Sequence, residues 1–311
     1  MDYCQIQKKD ERDLTMKKIL LLGSSGFIGL NLKEYLINFK EEYQLFTPSS
    51  RDLDLTKESM VYDYLKEYKF DVVIHAAVCN PRRLAEGTIY HELDSDLRMF
   101  FNLERYHELF GKMLYFGSGA EYDKSENISS VNETVLGNGV PKNEYGLAKY
   151  IIGKQIEQSR NIYNLRIFGL YGKYENWRTT FISGACCKAI KNLPITIRQN
   201  VYFDYLYIDD FCNLVKWFID NKPNYHTYNM CSGKKIDLLS IAEKVKSISG
   251  KDIPIYVCKE GFAKEYTADN QRLLLETSNT IFIDIDLGIQ LLYRYYESIS
   301  KDINIIDLLY Q

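Results

Sequence analysis

The chain is poor in the residues that bind metal ions or form disulfides. Its 311 residues contain only four His, which are far apart and include no H-x-x-x-H pair. The seven Cys are scattered and include no C-x-x-C motif. Zinc sites and disulfide frameworks need closely spaced ligands or paired cysteines. We therefore predict neither a metal centre nor an oxidised, secreted protein, and we expect a cytoplasmic location.

Long apolar runs and an excess of charge of one sign are also missing. No segment approaches the roughly 20 apolar residues that a membrane-spanning helix requires. Lys and Arg number 39 against 42 Asp and Glu, whereas proteins that neutralise nucleic-acid phosphates are usually basic. We expect neither membrane nor nucleic-acid binding. Residues 1–15 are polar and lack an apolar signal region, so we expect a disordered leader there.

Apolar segments that alternate with helical patterns begin at Lys17. A short apolar run, ILLL, ends at Gly23, and apolar residues at helical spacing follow. Further buried-strand patterns span residues 43–47, 70–75, 112–116 and 163–168, and the segments between them are long enough for helices. Strands that alternate with helices form a parallel sheet covered on both faces. The sequence predicts an α/β protein with a Rossmann-type, doubly wound parallel sheet and a smaller, mixed α/β C-terminal lobe.

Three glycines follow the first predicted strand. Gly23, Gly26 and Gly29 form G-x-x-G-x-x-G at the junction between the strand and the next helix. Such a turn lets the backbone approach a pyrophosphate and points a helix N-terminus at it. A glycine-rich turn without a ligand is the alternative, but the flanking strand and helix favour a dinucleotide site. We expect residues 16–169 to be the dinucleotide-binding domain, with residues 204–229 returning to it, and residues 170–203 and 230–311 to form a substrate-binding lobe.

The end of the second predicted strand bears on the choice of dinucleotide. An acidic residue there binds the ribose 2'-hydroxyl of NAD, whereas a basic residue accepts the 2'-phosphate of NADP. The chain has Ser49, Ser50 and Arg51 at this point, with no carboxylate before Asp52. This favours NADP(H), and NAD(H) stays open because Arg51 could be a solvated loop residue. Asp54 suits a hydrogen bond to the adenine amino group.

One of three Y-x-x-x-K pairs stands out by its position. A Tyr that transfers a proton needs a nearby positive charge, and a Lys four residues later on a helix supplies one on the same face. With 26 Tyr in the chain, chance alone predicts about two such pairs. Only Tyr145 with Lys149 follows a buried strand that ends in a hydroxyl, Ser118. The other pairs, which we interpret as exposed helix faces, are Tyr62 with Lys66 and Tyr150 with Lys154.

Seven motifs follow one another along the chain: GSSGFIG, DLDLT, VIHAA, FGSGAEY, YGLAK, LRIFGLYG and DYLYIDDF. In their order and spacing, the chain resembles the extended short-chain dehydrogenase/reductase family from Met16 nearly to its end. This family contains sugar-nucleotide epimerases, dehydratases and reductases. Within it, RDLDLT and NQRLLLE are most similar to GDP-fucose synthase-like 4-keto sugar-nucleotide reductases.

The resemblance implies roles for individual residues. Ser118 would bind the substrate carbonyl oxygen, Tyr145 would donate or accept a proton, and Lys149 would bind the nicotinamide ribose and lower the pKa of the Tyr. The cofactor would contact Gly23, Ser25, Gly26, Phe27, Ile28, Gly29, Ser49, Ser50, Arg51, Asp54, Leu55, Ala76, Ala77, Tyr145, Lys149 and Phe168. The substrate would contact Ser118, Gly119, Ala120, Arg178 and Arg272.

Departures from the family pattern narrow the chemistry. Dehydratases carry an Asp-Glu pair directly after the hydroxyl, where this chain has Gly119 and Ala120, and Glu121 is one position out of step. Fucose synthases add a Cys and a His that epimerise neighbouring carbons, and the matching residues here are Ala120 and Arg178. Arg stays charged and cannot readily shuttle a proton. Simple hydride transfer to or from a hydroxyl-bearing carbon remains.

The substrate contacts are less regular than the cofactor motifs. Two positions that usually carry a nucleotide-sugar-binding Asn and Arg hold Gly169 and Phe203. By resemblance, Arg272 matches an Arg that holds the diphosphate. Arg178 or Arg198 could compensate, since a guanidinium suits phosphate, although Arg198 could equally be a surface residue.

Other residues have weaker expectations. Arg82 and Arg83 border the expected substrate cleft, or are simply solvated charges. Asp96 stands where the family often has an Asn near the active site. The family commonly dimerises through two helices, to which residues 97–110 and 145–159 would correspond, so we expect a homodimer.

Three functions are compatible with these residues. The leading one is an NADP-dependent reductase of a 4-keto nucleotide-linked sugar, in which Tyr145 protonates the forming alkoxide. A sugar-nucleotide 4-epimerase that retains NAD is the alternative within the family. A catalytically silent dinucleotide-binding regulator on the same fold is the third, and the intact Ser118, Tyr145 and Lys149 argue against it.

Overall fold

Six parallel strands form the main sheet of the computed structural model, which describes residues 16–79, 92–278 and 280–309. The predicted leader, residues 1–15, lies outside this range. The spatial order is β10-β6-β4-β3-β1-β2. The strands are β1 (Lys17–Leu22), β2 (Tyr43–Phe46), β3 (Val72–His75), β4 (Lys112–Ser118), β6 (Ile162–Ile167) and β10 (Thr227–Met230). This arrangement confirms the predicted Rossmann-type α/β fold.

Both faces of the main sheet are buried, which explains why the central strands β1 and β3 are mainly apolar. In β1, Ile19 and Leu21 pack into one core cluster, whereas Leu20 and Leu22 pack into another. The first cluster includes residues of α1 (Phe27–Leu36) and α6 (Ile208–Asp220). The second includes residues of α2 (Glu58–Tyr68), α3 (Glu92–Glu104) and α4 (Glu144–Ile156).

A second, mixed sheet lies in the C-terminal part and recruits one strand from the middle of the chain. Its path is β11-β9-β13-β5, and β7 pairs with β9. The strands are β5 (Ile128–Val131), β7 (Gly169–Tyr171), β9 (Tyr202–Tyr207), β11 (Lys235–Asp237) and β13 (Tyr266–Ala268). A further pair joins β8 (Ile195–Asn200) to β12 (Ile255–Phe262). The helices of this part are α5 (Phe181–Ile190), α7 (Leu238–Ser249), α8 (Gln271–Glu276), α9 (Ile285–Ser298) and α10 (Ile305–Leu309).

The structure corrects the expected chain path in two places. Residues 204–229 do not all return to the main sheet, because Asp204–Tyr207 belong to β9 of the second sheet, whereas α6 and β10 return. Conversely, β5 lies in the second sheet although it falls within residues 16–169. A buried-strand pattern gives burial but not the identity of the neighbouring strands, so the sequence could not separate the two sheets.

Candidate functional site

The glycine turn between β1 and α1 forms a cradle that only glycine fits. Gly23 has a φ of 78°, and a Cβ atom there would lie 2.6 Å from the backbone of Ala76 and Ala77. A Cβ on Gly29 would overlap the carbonyl of Gly23. Gly26 is the N-cap of α1 and places no side chain over the first helical turn. The backbone can therefore approach a pyrophosphate at the positive end of the helix, as a dinucleotide requires.

The loop after β2 presents hydroxyls and a guanidinium rather than a free carboxylate. Asp52 accepts hydrogen bonds from the backbone N–H and hydroxyl of Ser49, at 3.0 and 2.6 Å. These bonds lower the pKa of Asp52 and turn its carboxylate into the loop. Arg51 is exposed beside it. Asp54 caps the following turn by accepting from the backbone N–H of Thr56.

The remaining predicted cofactor residues line the carboxyl ends of the main strands or the start of α1. Ser25, Phe27 and Ile28 lie on the glycine turn and the first turn of α1. Leu55 is buried and its carbonyl accepts from the Asn102 side chain at 2.9 Å. Ala76 and Ala77 follow β3, and Phe168 follows β6. Their roles toward a cofactor stay predictions.

Ser118 and Tyr145 meet at the carboxyl end of β4. Ser118 is the last residue of β4, and its Oγ accepts from the Ala120 N–H at 3.1 Å. Tyr145 lies in the first turn of α4, which Asn143 caps by accepting from the Gly146 N–H at 2.7 Å. Burial raises the pKa of Tyr145, and a hydrogen bond with Ser118 opposes that rise. The two hydroxyls therefore interact directly at the end of β4.

Lys149 lies beneath Tyr145 on the same face of α4. Its Nζ donates to the Tyr115 hydroxyl at 2.8 Å and to the Phe116 carbonyl at 2.9 Å. The Nζ is 5.7 Å from the centre of the Tyr145 ring. Because the side chain is buried, desolvation lowers the pKa of Lys149, and the carboxylates of Asp96, Glu121 and Glu92 oppose this effect. By contrast, Tyr62 with Lys66 and Lys154 with Glu157 form contacts on exposed helix faces.

Glu121 is turned away from the cleft into a buried ion pair. Its Oε2 accepts from Arg166 Nε at 2.7 Å, and both side chains are fully buried. Its Oε1 accepts from the Ser118 backbone N–H at 3.1 Å. Glu121 therefore fixes the end of β4 from the buried side, opposite the cleft. Gly119 and Ala120 carry no carboxylate. No acid or base therefore stands directly after Ser118 on the cleft side.

Tyr266 forms a wall of the site that the sequence did not reveal. It lies in β13, and pairing of β13 with β5 and β9 brings it beside Gly119, where a Cβ would meet its hydroxyl. Phe168 closes the same space, 2.8 Å from that Cβ position. The Tyr266 phenol also interacts with Ser118. With 26 Tyr in the chain and no motif around residue 266, no sequence signal marked it.

The arginines that the sequence predicts as substrate contacts lie in two different parts of the structure. Arg178 and Arg198 line one open cavity of about 550 Å³ at the start of α5, together with Thr179, Thr180 and Lys188. Arg178 is held by Asp307, which accepts from its Nε at 2.7 Å. Arg82 and Arg83 lie outside the described residues.

Arg272 lies elsewhere. Its guanidinium donates to the Thr227 carbonyl at 3.0 Å and stacks 4.4 Å from the Tyr225 ring centre. Thr227 pairs with Asn164, three residues before Ile167, the strand partner of Ser118. These contacts hold Arg272 along the edge strand, where it pairs with Glu133 at 3.6 Å and lines an open cavity of about 430 Å³. Its role toward a diphosphate stays a prediction.

Two absences concern only the part of the chain that the structure describes. None of its helices has the length and apolar character needed to cross a membrane. Within the same residues, no group of three or more His, Cys, Asp or Glu side chains could ligate a metal ion.

The fold and the site together define an NAD(P)-dependent enzyme built on a Rossmann sheet. The chain belongs to the NAD dependent epimerase/dehydratase family, whose model matches residues 19–231. The resemblance inferred from the sequence motifs is thereby confirmed.

Individual relatives are similar along nearly the whole chain. ADP-L-glycero-D-manno-heptose-6-epimerase of Brachyspira hyodysenteriae is 22% identical over 331 residues, covering 91% of this chain and 98% of the relative. GDP-L-colitose synthase of Yersinia pseudotuberculosis is 24% identical over 310 residues, covering 90% and 97%. Among solved structures, the GDP-mannoheptose C4 reductase of Campylobacter jejuni with NADP bound has a TM-score of 0.73 at 19% identity, covering 91% of this chain and 98% of that chain.

Proposed function

We propose that the protein is an NADP-dependent reductase of a 4-keto nucleotide-linked sugar. The observation that carries this proposal is the direction of Glu121. The site keeps Ser118, Tyr145 and Lys149, yet the nearest carboxylate in sequence faces Arg166 behind β4. Elimination of water needs an acid or base on the cleft side, whereas hydride transfer to a ketone needs only a proton donor and an oxyanion partner.

The residues of the cleft have distinct tasks in this reaction. When bound, the reduced nicotinamide supplies the hydride that adds to the carbonyl carbon. Ser118 donates a hydrogen bond to the carbonyl oxygen as negative charge develops on it. Tyr145 transfers its phenolic proton to that oxygen, which completes the alcohol and leaves a phenolate. The ammonium of Lys149, on the same helix face, stabilises the phenolate until solvent returns a proton.

The preference for NADP rests on the loop after β2. Ser49 already donates two hydrogen bonds to the Asp52 carboxylate, so this acid is not free to bind a ribose 2'-hydroxyl. Ser50 and Arg51 are exposed at the same turn and can surround a 2'-phosphate. The Campylobacter jejuni structure with the same fold contains NADP.

The nucleotide diphosphate fits best near Arg178 and Arg198. Both guanidiniums line the same open cavity, and Thr179 and Thr180 add hydroxyl donors at the start of α5. Guanidiniums and a helix N-terminus suit phosphate oxygens. The names of the relatives include ADP-linked and GDP-linked sugars, which agrees with a nucleotide-sugar substrate and leaves the base open.

The cellular setting follows from simpler features. The six described cysteines form no disulfide with one another, which agrees with a reducing, cytoplasmic compartment. The helices α3 and α4 pack side by side on one face of the main sheet. We propose that this pair forms a homodimer interface.

A spectrophotometric assay tests the proposed activity. Purified protein should oxidise NADPH in the presence of 4-keto GDP-sugars or 4-keto ADP-sugars, and Tyr145→Phe should lower kcat by at least about 100-fold while NADPH binding, followed by fluorescence, persists. Tyr150→Phe, at the neighbouring Y-x-x-x-K pair, is the matched control and should keep its activity. A Tyr145→Phe variant with full activity would contradict the assignment.

The epimerase alternative makes the opposite prediction about the cofactor. A 4-epimerase should purify with tightly bound NAD and interconvert 4-hydroxyl epimers without net loss of NADPH absorbance. A silent regulator should bind NADPH in calorimetric titration and ignore nucleotide sugars.

A further inference from the structure

Lys149 carries a buried charge that its direct hydrogen-bond partners do not neutralise. Only 2% of the side chain is exposed. Its two hydrogen-bond acceptors, the Tyr115 hydroxyl and the Phe116 carbonyl, are neutral. Within the described ranges, Lys149 makes no salt bridge. A buried ammonium of this kind needs an opposite charge nearby to remain protonated.

Asp96 is a buried carboxylate whose charge is opposite to that of Lys149. It lies on α3 and is 4% exposed. Its Oδ1 accepts from the backbone N–H of Cys79 at 2.8 Å. Its Oδ2 is buried and has no hydrogen-bond partner among the described residues. Burial raises the pKa of Asp96, and the charge of Lys149 and the Cys79 N–H oppose that rise. The carboxylate is not committed to another cation, in contrast to Glu121, which Arg166 neutralises.

The other charged and titratable groups around Lys149 are weaker candidates for this role. Glu121, after β4, is already paired with Arg166, and Glu92 lies at the N-terminal end of α3. On β3, burial lowers the pKa of His75 to about 3, so that ring is neutral. Tyr115 on β4 and Tyr145 on α4 are phenols whose pKa values burial raises. Among the carboxylates, Asp96 is the one that raises the pKa of Lys149 most.

We propose that Asp96 is a positioning residue that acts through Lys149 as its buried counter-ion and so sets the pH range in which Tyr145 can donate a proton. The inference rests on the proposed function of Lys149 and Tyr145. An Asn at this position would keep the hydrogen bond to the Cys79 N–H but would remove the charge.

The charge of Asp96 acts on both Lys149 and Tyr145, and this determines the direction in which the pH profile of reduction moves. Its charge keeps Lys149 protonated and disfavours ionisation of the Tyr145 phenol. Removing the charge lowers the pKa of both groups. Reduction requires both protons, so the alkaline limb of its pH profile should move to lower pH. A purely structural defect would lower the rate at every pH and leave the limb in place.

A set of matched variants tests this inference. In Asp96→Asn, we expect the alkaline limb of kcat for ketone reduction to move down by on the order of one pH unit. Asp96→Glu keeps the charge and should keep the limb within about 0.3 units of wild type, even if the longer side chain lowers kcat. Asp94→Asn makes the same charge change on the exposed face of α3, where Asp94 pairs with Arg98, and should leave the profile unchanged. An unshifted limb in Asp96→Asn would overturn the inference.

A second readout does not depend on turnover. In protein labelled with ¹³C at lysine Cε, the Lys149 signal can be assigned by its loss in Lys149→Arg and titrated with pH. Asp96→Asn should lower the midpoint of this titration relative to wild type and to Asp94→Asn. An equal or higher midpoint refutes the role of Asp96 whether or not the substrate is correct. If the wild-type enzyme reduces no keto sugar but the midpoint falls, the proposed function fails and the counter-ion role stands.

Discussion

At the scale of single residues, Glu121 shows that a small shift along the chain changes the available chemistry. A carboxylate at residue 119 or 120 would follow Ser118 directly. At residue 121 the side chain instead enters the core, where it bonds to Arg166 and to the Ser118 N–H. It supports the end of β4, and we expect it to take no part in proton transfer.

The ion pair between Glu121 and Arg166 should matter greatly for stability. Removing one member of a fully buried pair leaves the other charge uncompensated, at a cost of about 3–5 kcal/mol. We therefore expect Glu121→Gln to lower the free energy of unfolding in urea by that amount. Glu157→Gln removes one member of the exposed pair with Lys154 and should cost less than about 1 kcal/mol. Equal stability of the two variants would contradict the assigned pairing.

Arg51 should decide the choice between the two dinucleotides. If its guanidinium binds the 2'-phosphate, Arg51→Ala should lower kcat/KM for NADPH about 10-fold or more and leave kcat/KM for NADH nearly unchanged. Lys66→Ala, an exposed charge on α2, is the control. Equal losses with both cofactors would exclude a 2'-phosphate role.

Some of these residue assignments could be predicted from the sequence. The hydroxyl of Ser118 and the spacing of Tyr145 and Lys149 depend on one strand and one helix, and local patterns predict such elements well. The direction of Glu121, the wall formed by Tyr266 and the position of Arg272 depend on contacts between distant segments. No local pattern contains that information.

At the scale of elements, α4 is positioned by a close approach to the end of β4. A Cβ on Gly153 would lie 2.6 Å from Glu121 Oε2. The helix can therefore approach the buried ion pair only because this residue has no side chain. Tyr145 lies two helical turns before Gly153, and Lys149 lies one turn before it. The close approach of Gly153 to Glu121 therefore determines where both side chains lie.

Gly153→Ala should therefore destabilise the protein, although a change from Gly to Ala usually stabilises a helix. In an ordinary helix interior Ala is favoured over Gly by about 1 kcal/mol. Here the methyl group would push α4 from the ion pair, and we expect a loss of about 1–3 kcal/mol in the free energy of unfolding, with a lower kcat. Lys154→Ala at the next, exposed position should stay within about 0.5 kcal/mol of wild type. A stabilised Gly153→Ala variant would contradict the close packing.

Element type and element neighbours differ in how far the sequence predicts them. The alternation of apolar strands and helices was sufficient for the parallel sheet, because each βα unit is local. The sequence also predicts that residues 204–229 return to the dinucleotide-binding domain, yet β9 joins the second sheet. Burial is visible in a short segment, whereas the partner strand is chosen by the rest of the fold.

At the scale of the whole molecule, the buried His75 should make the fold sensitive to acid. Burial lowers its pKa to about 3, and neither ring nitrogen has a hydrogen-bond partner among the described residues. The unfolded chain therefore binds a proton near pH 6.5, whereas the folded protein does not. The contribution of His75 to the free energy of unfolding is fully present above pH 6.5 and is lost as the pH is lowered toward 3.

Urea unfolding at pH 7 and pH 4.5 can measure this effect. We expect wild type to lose about 2–3 kcal/mol more than His75→Asn over this interval. His107→Asn, outside the buried core, should lose as much as wild type. Equal acid dependence in wild type and His75→Asn would show that His75 is not the group responsible.

Net hydride transfer to a sugar ketone can be followed directly with deuterium. Purified protein should be incubated with NADPH deuterated at the transferable C4 position and with a 4-keto nucleotide sugar. We predict one deuterium at the former carbonyl carbon for each NADP⁺ formed, and no transfer in Tyr145→Phe. Epimerised sugar without deuterium and without NADPH oxidation would contradict the account.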